Sequence, residues 1–163
     1  MQQICYQPIG RIHSPFIEPK GTPIQPRAAE GVEGTVVVFP EYTDGLQDIE
    51  GFSHLTLIYH FHLAQPGPLR ATPFLDTQSR GIFAMRGPSR PNPIGVSVVR
   101  LIAVDGARLQ VQDVDIVDGT PLLDIKPYVP AFDDRPADRI GWLTTRVQKL
   151  QASHDDGRFA NMP

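Results

Sequence analysis

The sequence holds one cysteine, no long apolar run and little excess charge. A lone Cys5 excludes an intrachain disulfide and a thiolate zinc cluster, and it fits a reducing cytoplasm. Placed in an expected opening strand, Cys5 reads as a small core residue rather than a reactive thiol. No apolar run approaches the roughly 20 residues that a membrane span needs. The N-terminal MQQICYQPIG has no basic segment ahead of an apolar one, so no signal peptide is expected. The glycine fingerprint GxGxxG, a Walker A loop and the nucleophile elbow GxSxG are all absent, which removes three common enzyme signatures. A formal net charge of −3 does not by itself point to nucleic acid.

Proline is abundant instead, with 17 in 163 residues, about twice the usual share. That favours turns over long helices. With 40% hydrophobic and 20% charged residues, the composition is that of one ordinary globular domain. Charge is unevenly spread. Arg70, Arg80, Arg86, Arg90 and Arg100 face only Asp76 within residues 70–100, a local +4 that leaves −7 elsewhere. Such a patch suits an anionic ligand or a phosphate backbone.

The stretch 81–96, GIFAMRGPSRPNPIGV, concentrates the signal. Pro88, Pro91 and Pro93 fix the backbone, and Arg90 and Asn92 each stand directly before a proline. Guanidinium and amide groups on a stiff backbone make a preorganised polar site. A structural turn carrying surface arginines is the alternative.

Strands are expected over Ile4–Phe16, Gly34–Phe39, Phe52–Leu63, Gly81–Met85, Gly95–Val104, Arg108–Val117 and Leu122–Tyr128. Asp105-Gly106 should turn a hairpin. A short helix is expected over Glu41–Ile49. A second is expected over Arg139–Ala152, where Ile140, Leu143, Val147 and Leu150 fall at helical spacing, with a frayed tail beyond. Strands at short intervals between Gly/Pro turns give a mainly β fold, a small single-domain β-barrel with long loops, 17–32 among them.

Within Phe52–Leu63, Leu55, Leu57, Tyr59, Phe61 and Leu63 share one face, while His54, His60 and His62 lie on the other. His60 and His62 could reach one metal ion only with a third ligand from elsewhere, so no metal is expected, although a metal-dependent hydrolase remains a weaker reading. Asp118-Gly119-Thr120-Pro121 reads as a plain turn or as a ligand loop. Asp124 and Lys126, two apart on a strand, form a surface ion pair or else face a pocket and move a proton.

Four ordered segments resemble the TsaA-like (TrmO-like) family: IGRIHSPF at Ile9–Phe16, GFSHL at Gly51–Leu55, the run GIFAMRGPSRPNPIG, and DGTPLLDIKPY at Asp118–Tyr128. The resemblance covers about residues 4–133 and leaves 134–163 as a helix and tail rather than a domain. It implies a barrel that binds S-adenosylmethionine, a homodimer, and methylation of N6 in threonylcarbamoyl-adenosine beside the tRNA anticodon. Carried over by position, the cofactor would meet Pro26, Arg27, Ala28, Phe61, His62, Arg86, Val96, Asp118, Gly119, Thr120, Pro121 and Leu122. The methyl acceptor is a urea-like nitrogen whose proton must leave, so a base is needed. Arg90 or Lys126 would hold a carboxylate or phosphate, Asn92 would orient the urea, and Asp124 or His62 would take the proton. The alternatives are a regulatory module that only binds the cofactor and a methyltransferase for a different small acceptor. Met85 and Gly87 stand where many members have Thr and Ser, which opens the question of the substrate. Longer members carry a further C-terminal domain thought to engage tRNA, so a weaker hold on tRNA is expected here.

Overall fold

In a computed structural model, which describes residues 3–159, eight strands follow in chain order. They are β1 (Gly10–His13), β2 (Glu33–Val38), β3 (His54–His60), β4 (Arg70–Ala71), β5 (Arg80–Gly81), β6 (Ile94–Asp105), β7 (Arg108–Gln112) and β8 (Thr120–Pro127). Six of them close a barrel in the order β1-β2-β7-β6-β3-β8, every pairing antiparallel. β4 and β5 form a separate two-stranded ribbon beside it.

Period-two patterning explains the barrel. Leu55, Leu57 and Tyr59 of β3 point inward and are buried, as are Ile12, Val36, Val99, Leu109, Val111 and Leu122 from the other strands. β6 and β7 form the hairpin predicted across Asp105-Gly106. Gly95 stands opposite Tyr59, and a Cβ there would lie 2.2 Å from the tyrosine ring, so the missing side chain is the space the ring occupies.

A second, smaller core lies outside the barrel. Ala71, Ile82, Met85 and Phe159 are buried together, with Phe74 and Trp142 packed against them.

Several expected elements take other forms. The opening strand is confined to Gly10–His13, and Cys5 is exposed ahead of it rather than in the core. Leu63, expected on the inner face of β3, is exposed beyond the strand's end. Glu41–Ile49 forms 3-10 turns, Pro40–Leu46 and Ile49–Gly51, instead of one helix. Only Arg80–Gly81 of the Gly81–Met85 region is extended, and Ile82–Ala84 curls into a 3-10 turn that buries Ile82. Arg139–Ala152 is not an α-helix but two 3-10 turns, Gly141–Thr145 and Val147–Ala152. Gly141 at φ +59 and the β-branched Thr144, Thr145 and Val147 disfavour a continuous helix, and Trp142 gains more by packing on the second core. The one α-helix among the described residues, α1, is the single turn Pro130–Asp133. The tail is not frayed up to Phe159, which is buried. No helix among the described residues is long and apolar enough to cross a membrane.

Candidate active site

A cleft of ≈ 1310 Å³ opens between the start of β6, the turn before β8, the loop 17–32 and the proline-stiffened segment. Arg86 reaches across it and donates to Gln25 Oε1 at 2.9 Å. Pro26–Ala28 form a 3-10 turn on its rim, from which Pro26 and Arg27 line the cleft and Ala28 does not. Phe61 and His62 enter from the end of β3, held where the Phe61 N–H donates to Pro93 O at 2.8 Å. Val96, more than half exposed, supplies an apolar patch from the outer face of β6.

The Asp118–Leu122 segment divides. Thr120 faces the cleft. Its hydroxyl donates to Val117 O at 2.6 Å, so its oxygen is free to accept from Nδ1 of His62, 3.3 Å away. That arrangement leaves Nε2 of His62 as an acceptor. Burial, then the nearby His60 and Arg11, lower the His62 pKa and favour the neutral ring. Asp118 is instead a strut. Burial works to raise its pKa, but the Ser14 N–H at 3.1 Å and His13 at 3.0 Å hold it below the usual range. Arg11 donates to Gly119 O at 3.0 Å, which fixes the same turn. Pro121 lies on β8 without lining the cleft, and Leu122 is fully buried in the barrel.

Arg90 and Asn92 line the same cleft. Arg90 is partly held by the carbonyls of Met85 and Gly87, both at 3.4 Å. Asp124 and Lys126 do not join them. They pair with each other at 2.8 Å, and Asp124 lines a separate cavity of ≈ 490 Å³. The basic patch also divides, because Arg80 is committed to the buried Asp76 at 2.7 Å.

One group of cleft residues carries no motif signal. Tyr59 donates to Ser97 at 3.0 Å, and Ser97 donates to Asp115 at 2.6 Å. Burial pushes the Asp115 carboxyl up to about 6, against the hydrogen bond from Ser97 and the nearby Arg86 guanidinium. The same burial, with the Asp115 charge, raises the Tyr59 hydroxyl pKa. Asp115 sits between the buried Val114 and Ile116. That period-two placement is the only trace it leaves in the sequence.

Met85 and Gly87 are packing residues. Both are buried, and a Cβ on Gly87 would lie 3.2 Å from the Phe159 ring. Their place in the second core accounts for their lack of hydroxyls. Among the described residues, no three His, Cys, Asp or Glu side chains converge on a point that could hold a metal ion.

Residues 11–134 match the family described as tRNA-methyltransferase O N-terminal domain. The chain belongs to that family. It is 60% identical over 159 residues, 98% of this chain and 86% of the other, to a Pyrococcus abyssi protein named "Probable S-adenosyl-L-methionine-binding protein". It is 38% identical to the tRNA (adenine(37)-N6)-methyltransferase of Escherichia coli K12, over 83% of this chain and 62% of that one. The crystal structure of TrmO from Pseudomonas aeruginosa superposes with a TM-score of 0.72 at 38% identity, over 86% of this chain and 63% of that one. The chain thus spans about three fifths of those two family members, while it spans most of the Pyrococcus protein.

Proposed function

We propose that this protein is an S-adenosylmethionine-dependent methyltransferase that methylates N6 of threonylcarbamoyl-adenosine beside the tRNA anticodon. One observation carries the reading. Arg86, Val96, Phe61 and Thr120, the residues suited to the cofactor, share one cleft with Arg90 and Asn92, the residues suited to the acceptor.

The cleft fits the cofactor chemically. Arg86 offers a guanidinium for its carboxylate, Phe61 and Val96 an apolar bed for its adenine, and Thr120 a polar edge. When bound, S-adenosylmethionine supplies an electrophilic methyl group. Arg90 holds the threonyl carboxylate, and Asn92 orients the urea-like group. Lys126, exposed outside the cleft, is left for a tRNA phosphate. Among the carboxylates that line the cleft, Asp115 is the one whose pKa burial raises to about 6, which suits a base, and it takes the acceptor proton. His62 is an alternative acceptor within the cleft.

A homodimer is part of the same proposal, as the family resemblance implies. A tRNA substrate supports a cytoplasmic location. A module that binds S-adenosylmethionine without catalysis is the second reading, favoured by relatives whose names mention binding alone.

Transfer of labelled methyl groups to tRNA decides between them. Label is expected in tRNA carrying threonylcarbamoyl-adenosine and absent from tRNA lacking it. Cofactor binding without labelling of any tRNA would favour the second reading.

A further inference from the structure

The C-terminal segment Ser153–Phe159 runs alongside the cleft, and the three loops it touches carry cleft residues. On one side it pairs with loop 17–32. His154 bridges Pro23, the Gly21 N–H donates to Asp155 O at 2.7 Å, and the Asp155 N–H donates to Thr22 O at 2.8 Å. On the other side it grips the arginine-bearing segment. Ser89 donates its hydroxyl to Phe159 O at 2.9 Å, in a buried bond. The Phe159 ring is buried against Ile82 and Met85 and meets Phe74 edge-on at 5.0 Å. Arg158 donates to Pro73 O at 3.0 Å and lies over the Phe74 ring.

Arg86 lies between Met85 and Gly87, and both of those residues rest on Phe159. The partner that Arg86 reaches, Gln25, belongs to the loop that the same segment pairs with. Asp155 and Phe159 themselves line the cleft. One short stretch of chain therefore ties together the two walls that meet at Arg86. The 3-10 turn Ile82–Ala84 has only three residues and cannot hold that position unaided.

We infer that Phe159 is a positioning residue, which docks the C-terminal segment so that the Arg86-bearing segment and loop 17–32 are held in register for cofactor binding. The inference rests on the proposed function for its ligand, S-adenosylmethionine, but the docking itself has an independent readout.

The test uses the full chain. Amide hydrogen exchange over residues 82–90 should accelerate in Phe159→Ala, while the amides of β3 and β6 stay as protected as in the parent, showing an intact barrel. If the walls are then in register about a tenth of the time, the apparent Kd for S-adenosylmethionine rises about tenfold. Phe159→Leu, which keeps an apolar plug, should recover most of both effects. Gly87→Ser places a side chain against Phe159 and should weaken binding in the parent. The same change should cost much less in Phe159→Ala, where only the flexible end of Met85 remains against it. Unchanged exchange over 82–90 in Phe159→Ala overturns the inference. So do additive effects of the two substitutions on exchange. If the parent chain fails to bind S-adenosylmethionine, the proposed function falls, and the exchange data still decide the positioning role.

Discussion

Ser97 donates its hydroxyl to Asp115 at 2.6 Å, and since that proton is committed, Tyr59 must donate to Ser97 in turn, at 3.0 Å. The chain of donors ends on a carboxylate at the cleft wall, where burial sets a pKa of about 6. A base of that strength is mostly ionised at neutral pH and is lost on acidification. Methyl transfer should therefore rise through about pH 6 and level off above it. Asp115→Asn should remove that limb and lower the rate by roughly 10²–10⁴-fold, while calorimetry shows cofactor binding little changed. The stability effect has the opposite sense. The folded pKa lies above the ordinary 3.8, so the stability Asp115 contributes is fully present below that value and lost as pH rises through about 6. Asp115→Asn should thus raise Tm at pH 8 and leave it nearly unchanged at pH 4. A variant that methylates at the parental rate would transfer the proton-accepting role to His62.

Arg86 acts on the same carboxylate, since its guanidinium holds the Asp115 pKa down. Arg86→Ala should weaken S-adenosylmethionine binding by about one to two orders of magnitude, as expected for a charge-assisted hydrogen bond lost from the cleft. It should also move the acid limb of the rate to higher pH. Arg86→Lys should restore the limb more fully than the affinity, because an ammonium supplies charge without the planar fork. Parental affinity in Arg86→Ala would place the cofactor carboxylate elsewhere.

The sequence made the barrel legible because β3, β7 and the first half of β6 alternate cleanly and Asp105-Gly106 marks the turn from β6 to β7. Motif residues located the cleft for the same reason that they are motifs: Arg86, Arg90, Asn92 and Thr120 sit on stiff or turning backbone. What stayed hidden depends on contacts distant in sequence. Asp115 gains its character from Ser97 and Tyr59, residues 18 and 56 positions away. The apolar spacing of Ile140, Leu143, Val147 and Leu150 imitates a helix, yet the segment answers to Trp142 and the second core. Asp124 and Lys126 carry the right chemistry for a site, but the strand turns them away from the cleft.

Gly95 offers a stability test that also reads the site. A methyl group there would fall 2.2 Å from the Tyr59 ring, far inside contact distance. Gly95→Ala must displace the ring or part β3 from β6, at a cost of about 2–3 kcal/mol. For a chain of this length that corresponds to a fall in Tm of roughly 5–10 °C by calorimetry. Displacing Tyr59 also removes the donor to Ser97, so the pH dependence of methyl transfer should change in whatever enzyme remains folded. A Tm within about 1 °C of the parent would mean that the two strands part without strain.

Asp76 ties the segment of 3-10 turns over 141–152 to the ribbon β4–β5. It accepts from Arg80 at 2.7 Å and pairs with Arg146 at 3.1 Å, its own side chain fully buried. The Arg80 hydrogen bond is the main cause of a pKa below the ordinary value, with burial opposing it and the Thr77 and Gln78 N–H groups and Arg146 assisting. A lowered folded pKa gives stability that is present above about 3.8 and is lost as pH falls further. Docking of the segment should therefore hold steady from neutral pH down to about 4 and then weaken. The lone tryptophan reports it, since Trp142 donates to Ala84 O at 2.8 Å and lies beneath the Arg80 guanidinium. In the parent, Trp142 emission should shift to the red on acidification below that point. Asp76→Asn, which keeps the shape but not the charge, should show the red-shifted emission already at neutral pH and little further change on acidification. Identical emission from the two proteins across this range would mean that the arginines, not the carboxylate, carry the docking.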